Sequence, residues 1–425
     1  MLIRRGFLIL AFGTALLSLN VSGEIGSAVE YQGTQNSENS SGPLARPRRG
    51  DGGTSAFYIY AKPLPKKPGE LLRHEPLEIH QSVPGAARNL RLLYSSTDGI
   101  DGSTIIAVSG SIFLPDGTPP KTGWPLLLWS HGTVGIADVC APTWTGYRPV
   151  HQKYLREWLS QGYAIVASDY QGLGTAGTHP YLATRPASYS NLDIIRAVQN
   201  SELPVSDKVV LVGQSQGAAA AFATAGFYPD YAPELSIHGV VTTGIPFFTP
   251  AALEILMETR PKDKVDPMLG YNFTAMTLIE QLNPDFDFTD YISPEAMPTF
   301  RDIETTCYQQ IKGIIVEREL TYRKSFLVSP DKALSIAFTE MAYPRFELSV
   351  PVFIGSGEKD RDTPLRMQAA LIRTACDAGS MIQSHVYPEH DHVSVLRPSM
   401  RDSIPFVRAA FASEPIHGNC DNLPF

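Results

Sequence analysis

The chain lacks the marks of several large protein classes. It has only four cysteines, no CxxC pair and no HExxH, so neither common zinc pattern is present and no metal is expected. Acids outnumber bases, 43 Asp and Glu against 35 Lys and Arg. No Lys/Arg run could track a phosphate backbone, which excludes nucleic acid as a partner. The N-terminal apolar stretch from Phe7 to Leu19 is about 13 residues, short for a spanning helix, so no stable membrane span is expected. Heptads and internal repeats are also missing, which removes coiled coils and solenoids.

A composition 43% hydrophobic and 18% charged over 425 residues is ample for a buried core and argues against disorder. Residues 1–23 have a two-arginine start (Arg4, Arg5), an apolar centre and small residues after it, the layout of a signal peptide. The run Arg4-Arg5-Gly6-Phe7-Leu8 also resembles a twin-arginine signal. The mature chain is therefore expected to be secreted or periplasmic, by either route. In that compartment Cys140, Cys307, Cys376 and Cys420 suggest two disulfides with three possible connectivities, four buried thiols being the alternative. Residues 24–56, rich in Gly, Ser, Asn and Gln, read as a flexible linker. The tripeptide Arg49-Gly50-Asp51 within it is best explained by chance. Asn39 and Asn272 open glycosylation sequons, which matter only in a eukaryotic source.

From Phe57 onward, β-branched and apolar runs alternate with helical spacing, the signature of a mostly parallel α/β sheet flanked by helices. Leu90–Ser95 and Thr104–Leu114 read as an antiparallel pair. Pro125–Trp129, Tyr163–Ala167, Lys208–Val212, His238–Thr242, Val352–Ile354 and Met381–Tyr387 read as further strands. Helical spacing covers His151–Ser160, Ser188–Asn200, Gln216–Phe227 and Pro364–Asp377. Residues 246–345 contain helical patterns such as AALEILMETR and no good strand. They read as a helical cap inserted between two core parts, 57–245 and 346–425.

The chemistry centres on Gly213-Gln214-Ser215-Gln216-Gly217, which follows the strand KVVLV and runs into AAAAFATAG. Strand, GxSxG and helix form the context of a nucleophile elbow: a tight turn that pushes a serine hydroxyl out at a helix N-terminus. A serine needs a base, and the base an orienting acid, in the chain order Ser, acid, His. After PVFIG three acids compete. Asp360 lies in the loop directly after the strand and is favoured. Asp362 sits beside Thr363 and Pro364, an expected N-cap and first helical residue, where it would serve the helix dipole. Glu358 is the third. In YPEHDHVSVL, His392 stands at the far end of the loop after the last strand and is favoured over His390, with His385 on the strand itself. A metal pair of His390 and His392 lacks other ligands nearby.

Two other motifs compete for attention. Gly172-Leu173-Gly174-Thr175-Ala176-Gly177 matches GxGxxG, but Pro180 would disrupt the helix that must cradle a pyrophosphate, so no nucleotide cofactor is expected. His131 precedes the serine in chain order and is not the base. The loop after PLLLW should instead supply an oxyanion-hole amide from Gly132 or Thr133, with Gln216 giving the other.

Four stretches, SHGTVGIADVCAP, DYQGLGTAGTHPYL, GQSQGAAA and GEKDRDTP, together resemble the secreted lipase family of the α/β-hydrolase fold, over about residues 57–412. FYIYAKPLP and RHEPLEI fit that family's entry segment, whereas Ala218 stands where many relatives have glycine. The resemblance implies a Ser215–Asp360–His392 triad, a helical cap over the site, and activity on carboxylic esters including acylglycerols. It also implies pairing of Cys140 with Cys307 and of Cys376 with Cys420. The expected function is a secreted serine hydrolase working through an acyl-enzyme, needing no cofactor, and of unspecified oligomeric state. Its partners would be an ester or lipid substrate, with room for transient contact between cap and lipid surface. An esterase or acyltransferase for small or polar esters is the nearer alternative, and a non-catalytic binding protein of the same fold the remoter one.

Overall fold

The computed structural model describes residues 52–249, 251–252, 260–283 and 285–425. The expected signal peptide, Arg49-Gly50-Asp51, Asn39 and most of AALEILMETR lie outside them. Nine strands form one sheet: β1 (Leu71–Pro76), β2 (Ala86–Thr97), β3 (Ile105–Pro115), β4 (Trp124–Ser130), β5 (Ala164–Ser168), β6 (Val205–Gln214), β7 (Ser236–Thr243), β8 (Val352–Gly357) and β9 (Ile382–Tyr387). Their spatial order is β1-β2-β3-β5-β4-β6-β7-β8-β9. β1, β2 and β3 pair antiparallel and β3 joins β5 antiparallel; every later pairing is parallel. The sheet and its flanking helices make an α/β-hydrolase fold.

The central strands read as unbroken apolar runs because both faces of the sheet are covered. Leu126 and Leu128 of β4 belong to one apolar cluster, and Leu127 and Trp129 to the other. Val209 and Leu211 of β6 divide from Val210 and Val212 in the same way, as the period of two requires. Helices α1 (Pro149–Ser160), α2 (Thr184–Gln199) and α3 (Gln216–Tyr231) provide much of the cover. Residues Gln216–Gly226 of α3 are all buried, which suits a helix whose Ala-rich sequence is apolar on every side.

Between β7 and β8 the described residues contain helices and two isolated bridges but no strand. Among the helices described there are α4 (Leu269–Leu282) and α5 (Asp331–Glu340). They share an apolar cluster of their own, with Phe273, Met276, Leu334 and Phe338 among its members. The chain then returns through α6 (Leu365–Asp377) and closes with α7 (Leu396–Ala412).

Some local expectations shift. Helix α6 starts at Leu365 with Pro364 as its N-cap, one residue later than expected, because the Thr363 hydroxyl is engaged by Asp360 instead. Residues 392–395 form turns and α7 begins at Leu396. The edge strand β1 was not anticipated, since LLRHEP alternates weakly and is only partly buried. The turn Ala56–Tyr58 is anchored by Tyr58, whose hydroxyl pairs with Thr143 Oγ1 at 2.8 Å.

Candidate active site

Ser215 sits between β6 and α3 with φ 60° and ψ −125°, a left-handed region that costs a non-glycine residue about 1–3 kcal/mol. The turn closes only because its neighbours lack side chains. A Cβ on Gly213 would lie 2.0 Å from the Gly217 carbonyl oxygen, and one on Gly217 would lie 1.9 Å from that of Ser130. The GxSxG pattern therefore has a steric cause here.

His392 Nε2 lies 2.8 Å from Ser215 Oγ, and His392 Nδ1 lies 2.7 Å from Asp360 Oδ2. A carboxylate only accepts, so Nδ1 carries the proton and Nε2 is left to accept the serine hydroxyl. Asp360 is buried and well supplied with donors. The backbone N–H groups of Asp362 and Thr363 reach its Oδ1 at 2.9 and 2.8 Å. The Thr363 hydroxyl and Gln368 Nε2 reach its Oδ2 at 2.9 and 3.3 Å. Burial pushes the His392 pKa down, but the hydrogen bond and charge of Asp360, aided by Asp362 and Asp391, outweigh it, and the net direction is up.

The competing residues take other positions, only Asp362 among them coming near the site, 4.0 Å from His392 Nε2. Glu358 is exposed in the turn after β8. Asp362 faces the substrate cavity rather than the helix, and its Oδ2 accepts the Tyr271 hydroxyl at 2.9 Å. His390 is half-buried in the loop, with its carbonyl accepting the Lys359 N–H at 2.9 Å. His385, on β9, stacks on Phe353 of β8. His131 is buried between the carbonyls of Gly132 and Asp169, and burial lowers its pKa to about 4.

Gly132 packs directly against the nucleophile; a Cβ there would lie 2.7 Å from Gln214 Oε1 and 3.3 Å from Ser215 Cβ. Thr133 lines the cavity and its hydroxyl pairs with Tyr181 at 2.8 Å. Gln216 occupies the first position of α3, and its side chain is held by His179 at 3.0 Å. Because His179 Nδ1 faces the Gln171 carbonyl at 2.9 Å, it donates there, and Nε2 accepts from the Gln216 amide. The Gly172–Gly177 run forms turns, and the next helix starts only at Thr184, so no helix N-terminus stands where a pyrophosphate would need one.

Gly244 was not singled out from sequence. It follows β7 with φ 59°, and a Cβ on it would lie 2.8 Å from both His392 Nδ1 and Cε1. Only the hydrogen placed there leaves room for the imidazole. Thr363 and Gln368 were likewise unforeseen as partners of Asp360.

Cys140 is bonded to Cys307, and Cys376 to Cys420. The first bridge ties the segment after β4 to the helical region, where the Tyr308 N–H also donates to the Val134 carbonyl at 2.8 Å. Above Ser215 opens a cavity of about 420 Å³, bounded by Thr133 and Gln216 below and by Phe248, Tyr271, Leu334, Phe338 and Met341 from the helical segment.

Known proteins share this fold. Candida antarctica lipase A superposes with a TM-score of 0.67 at 20% identity, covering 84% of this chain and 85% of that one. A rice cell wall degrading esterase from Xanthomonas oryzae superposes with a TM-score of 0.64 at 18% identity, over 81% of this chain and 97% of its own. By sequence, a lipase A of Moesziomyces aphidis is 24% identical over 267 residues, which is 60% of this chain but only 55% of that protein. A secreted triacylglycerol lipase of Malassezia globosa is 24% identical over 382 residues, covering 84% and 81% of the two chains. A family model described as secretory lipase matches residues 149–419, well over half of the sequence, and the chain belongs to that family.

Proposed function

We propose that the chain is a secreted hydrolase of carboxylic esters, a lipase or esterase with Ser215, His392 and Asp360 as nucleophile, base and orienting acid. The observation that carries this reading is the continuous line of hydrogen bonds from Asp360 through His392 to Ser215, at the floor of a largely apolar cavity. His392 Nε2 takes the serine proton as Oγ attacks the ester carbonyl. The oxyanion that forms is held by the Gln216 N–H, at the positive end of α3, and by an amide of the Gly132–Thr133 loop. Thr133 is the better donor of that pair because it borders the cavity. One such donor is worth about 3–4 kcal/mol in the barrier. His392 then returns the proton to the leaving alkoxide, and water releases the acyl group by the same route.

Residues 246–345 would act as the cap over this site, between core parts 57–245 and 346–425. This segment contributes much of the cavity wall, with Tyr271 and Ala275 of α4 and Leu334 and Phe338 of α5 among the lining residues, so acyl preference would be set there. Two disulfides and secreted relatives support export. No helix among the described residues is long and apolar enough to cross a membrane. The test is labelling by a fluorophosphonate together with hydrolysis of p-nitrophenyl esters from C2 to C16. Wild type should react and turn over. A Ser215→Ala protein that still hydrolyses them would sink the assignment.

A further inference from the structure

The cavity above Ser215 is lined by side chains of two kinds. Phe248, Leu334, Phe338 and Met341 are apolar, whereas others, Arg361, Arg366 and the carboxylate of Asp362 among them, are charged. Asp362 Oδ2 lies 4.0 Å from His392 Nε2, the same nitrogen that faces Ser215. Its side chain is 27% exposed and open to the cavity. The Tyr271 hydroxyl donates to it at 2.9 Å, and the Tyr271 ring is held by stacking on Tyr308, 4.4 Å between centroids. Burial first, then the Asp362 charge, pushes the Tyr271 phenol well up, so it remains a donor. A carboxylate offers roughly four acceptor sites. One phenol leaves most of that capacity for a substrate.

Charge decides which part of the substrate this is. A carboxylate beside the developing oxyanion would oppose the reaction, so Asp362 does not belong on the carbonyl side. It lies instead next to the nitrogen that hands its proton to the leaving alkoxide. An alcohol with a second hydroxyl one or two carbons from the ester oxygen would bring an O–H donor to the carboxylate. Esters of plain alkanols would desolvate it without a partner, a discrimination that hydrogen-bonding sites make strongly and apolar pockets do not.

We infer that Asp362, positioned by Tyr271, selects esters whose leaving alcohol carries a neighbouring hydroxyl, such as partial esters of polyols, over esters of simple alkanols. This rests on the hydrolase reading above. The test compares kcat/KM for 2-hydroxyethyl butyrate and propyl butyrate, which differ in one group of similar size. Wild type should prefer the hydroxyethyl ester by roughly ten- to a hundredfold, the range of one hydrogen bond to a charged group. Asp362→Ala should bring the ratio near one, with the isosteric Asp362→Asn as a second variant should the first fail to fold. Tyr271→Phe should lower the ratio less. A wild-type ratio near one, or a ratio that both Asp362 variants leave within twofold, would overturn the inference while leaving the hydrolase intact. Ethyl 4-hydroxybutyrate against ethyl pentanoate is the control, and an Asp362-dependent preference there instead would place the hydroxyl on the acyl side and equally overturn it. Hydrolysis of no ester at all would remove the hydrolase reading and this inference together.

Discussion

Gly244 and His392 meet so closely that a methyl group on the glycine would lie 2.8 Å from the imidazole. The end of β7 is thereby shaped around the base of the proposed triad, and Asp360 Oδ2 is 3.3 Å from the same point. Gly244→Ala should displace the ring and also strain a backbone at φ 59°. We expect kcat to fall at least a hundredfold, since small misplacements of a reacting group are that costly. Steady-state kinetics on a protein checked by circular dichroism would decide it.

Ser215 is held in a strained conformation, which separates activity from stability. Ser215→Ala should lower kcat/KM by on the order of 10⁴-fold or more. Ser215→Gly should be equally inactive yet melt higher than the alanine variant. Relief of about 1–3 kcal/mol of strain exceeds the roughly 0.5–1 kcal/mol of extra chain entropy that glycine brings. Equal melting temperatures for the two variants would contradict this account.

The two loop histidines should behave differently. His392→Ala is expected to abolish ester hydrolysis, and His390→Ala to leave most of it, because only His392 reaches Ser215 and Asp360. The reverse result in a p-nitrophenyl ester assay would reassign the base.

The pH dependence follows from opposite shifts of buried imidazoles. The base works when neutral, so kcat/KM should rise with pH through a value above the ordinary 6.5 of histidine, because the His392 pKa is raised. Asp360→Asn leaves burial with far less opposition and should move this limb to lower pH. For stability, the raised His392 helps fully below about pH 6.5 and ceases to help as pH rises through its folded-state value. His131 and His179 act the other way. Burial lowers both to about 4, so the unfolded chain binds more protons and stability is lost as pH falls from about 6.5 to 4. The loss should approach about 3 kcal/mol for each at the acid end. Urea midpoints at pH 7 and pH 4.5 would show it, and His179→Asn should flatten the dependence.

Removal of the Cys140–Cys307 bridge should affect both rate and stability. It closes a sequence separation of 167 residues, for which chain entropy allows about 5 kcal/mol. A Cys140→Ser/Cys307→Ser protein should melt lower and turn over more slowly, because the loop carrying Gly132 and Thr133 loses its covalent tie to the helical segment and keeps only hydrogen bonds such as Tyr308 N–H to Val134. Unchanged kcat would show that the loop is fixed without it.

Local rules carried much of this molecule into the sequence. The elbow was legible because Gly213 and Gly217 bracket the serine within five residues, although the clash that demands Gly217 comes from the distant Ser130 carbonyl. The buried strands were legible because PLLLW and KVVLV must be apolar on both faces. Edge strand β1 was not, since a partly buried strand shows weak alternation. Thr363 was read as a helix cap because that is its commonest local use; a carboxylate three residues earlier competes for the same hydroxyl. Asp362 was assigned to a helix dipole for a similar reason, as nothing in GEKDRDTP reveals Tyr271, ninety-one positions away.

The sequence by itself determined the α/β alternation, the serine turn, the acidic character, and a short roster of acids and histidines. It did so because backbone sterics and period-two burial leave local traces. Only the tertiary structure decided which histidine faces Ser215, which acid faces that histidine, that Gly244 makes space for both, and that Asp362 looks into the cavity. Those choices depend on distances between segments that the chain brings together from far apart, and such distances leave no local pattern to read.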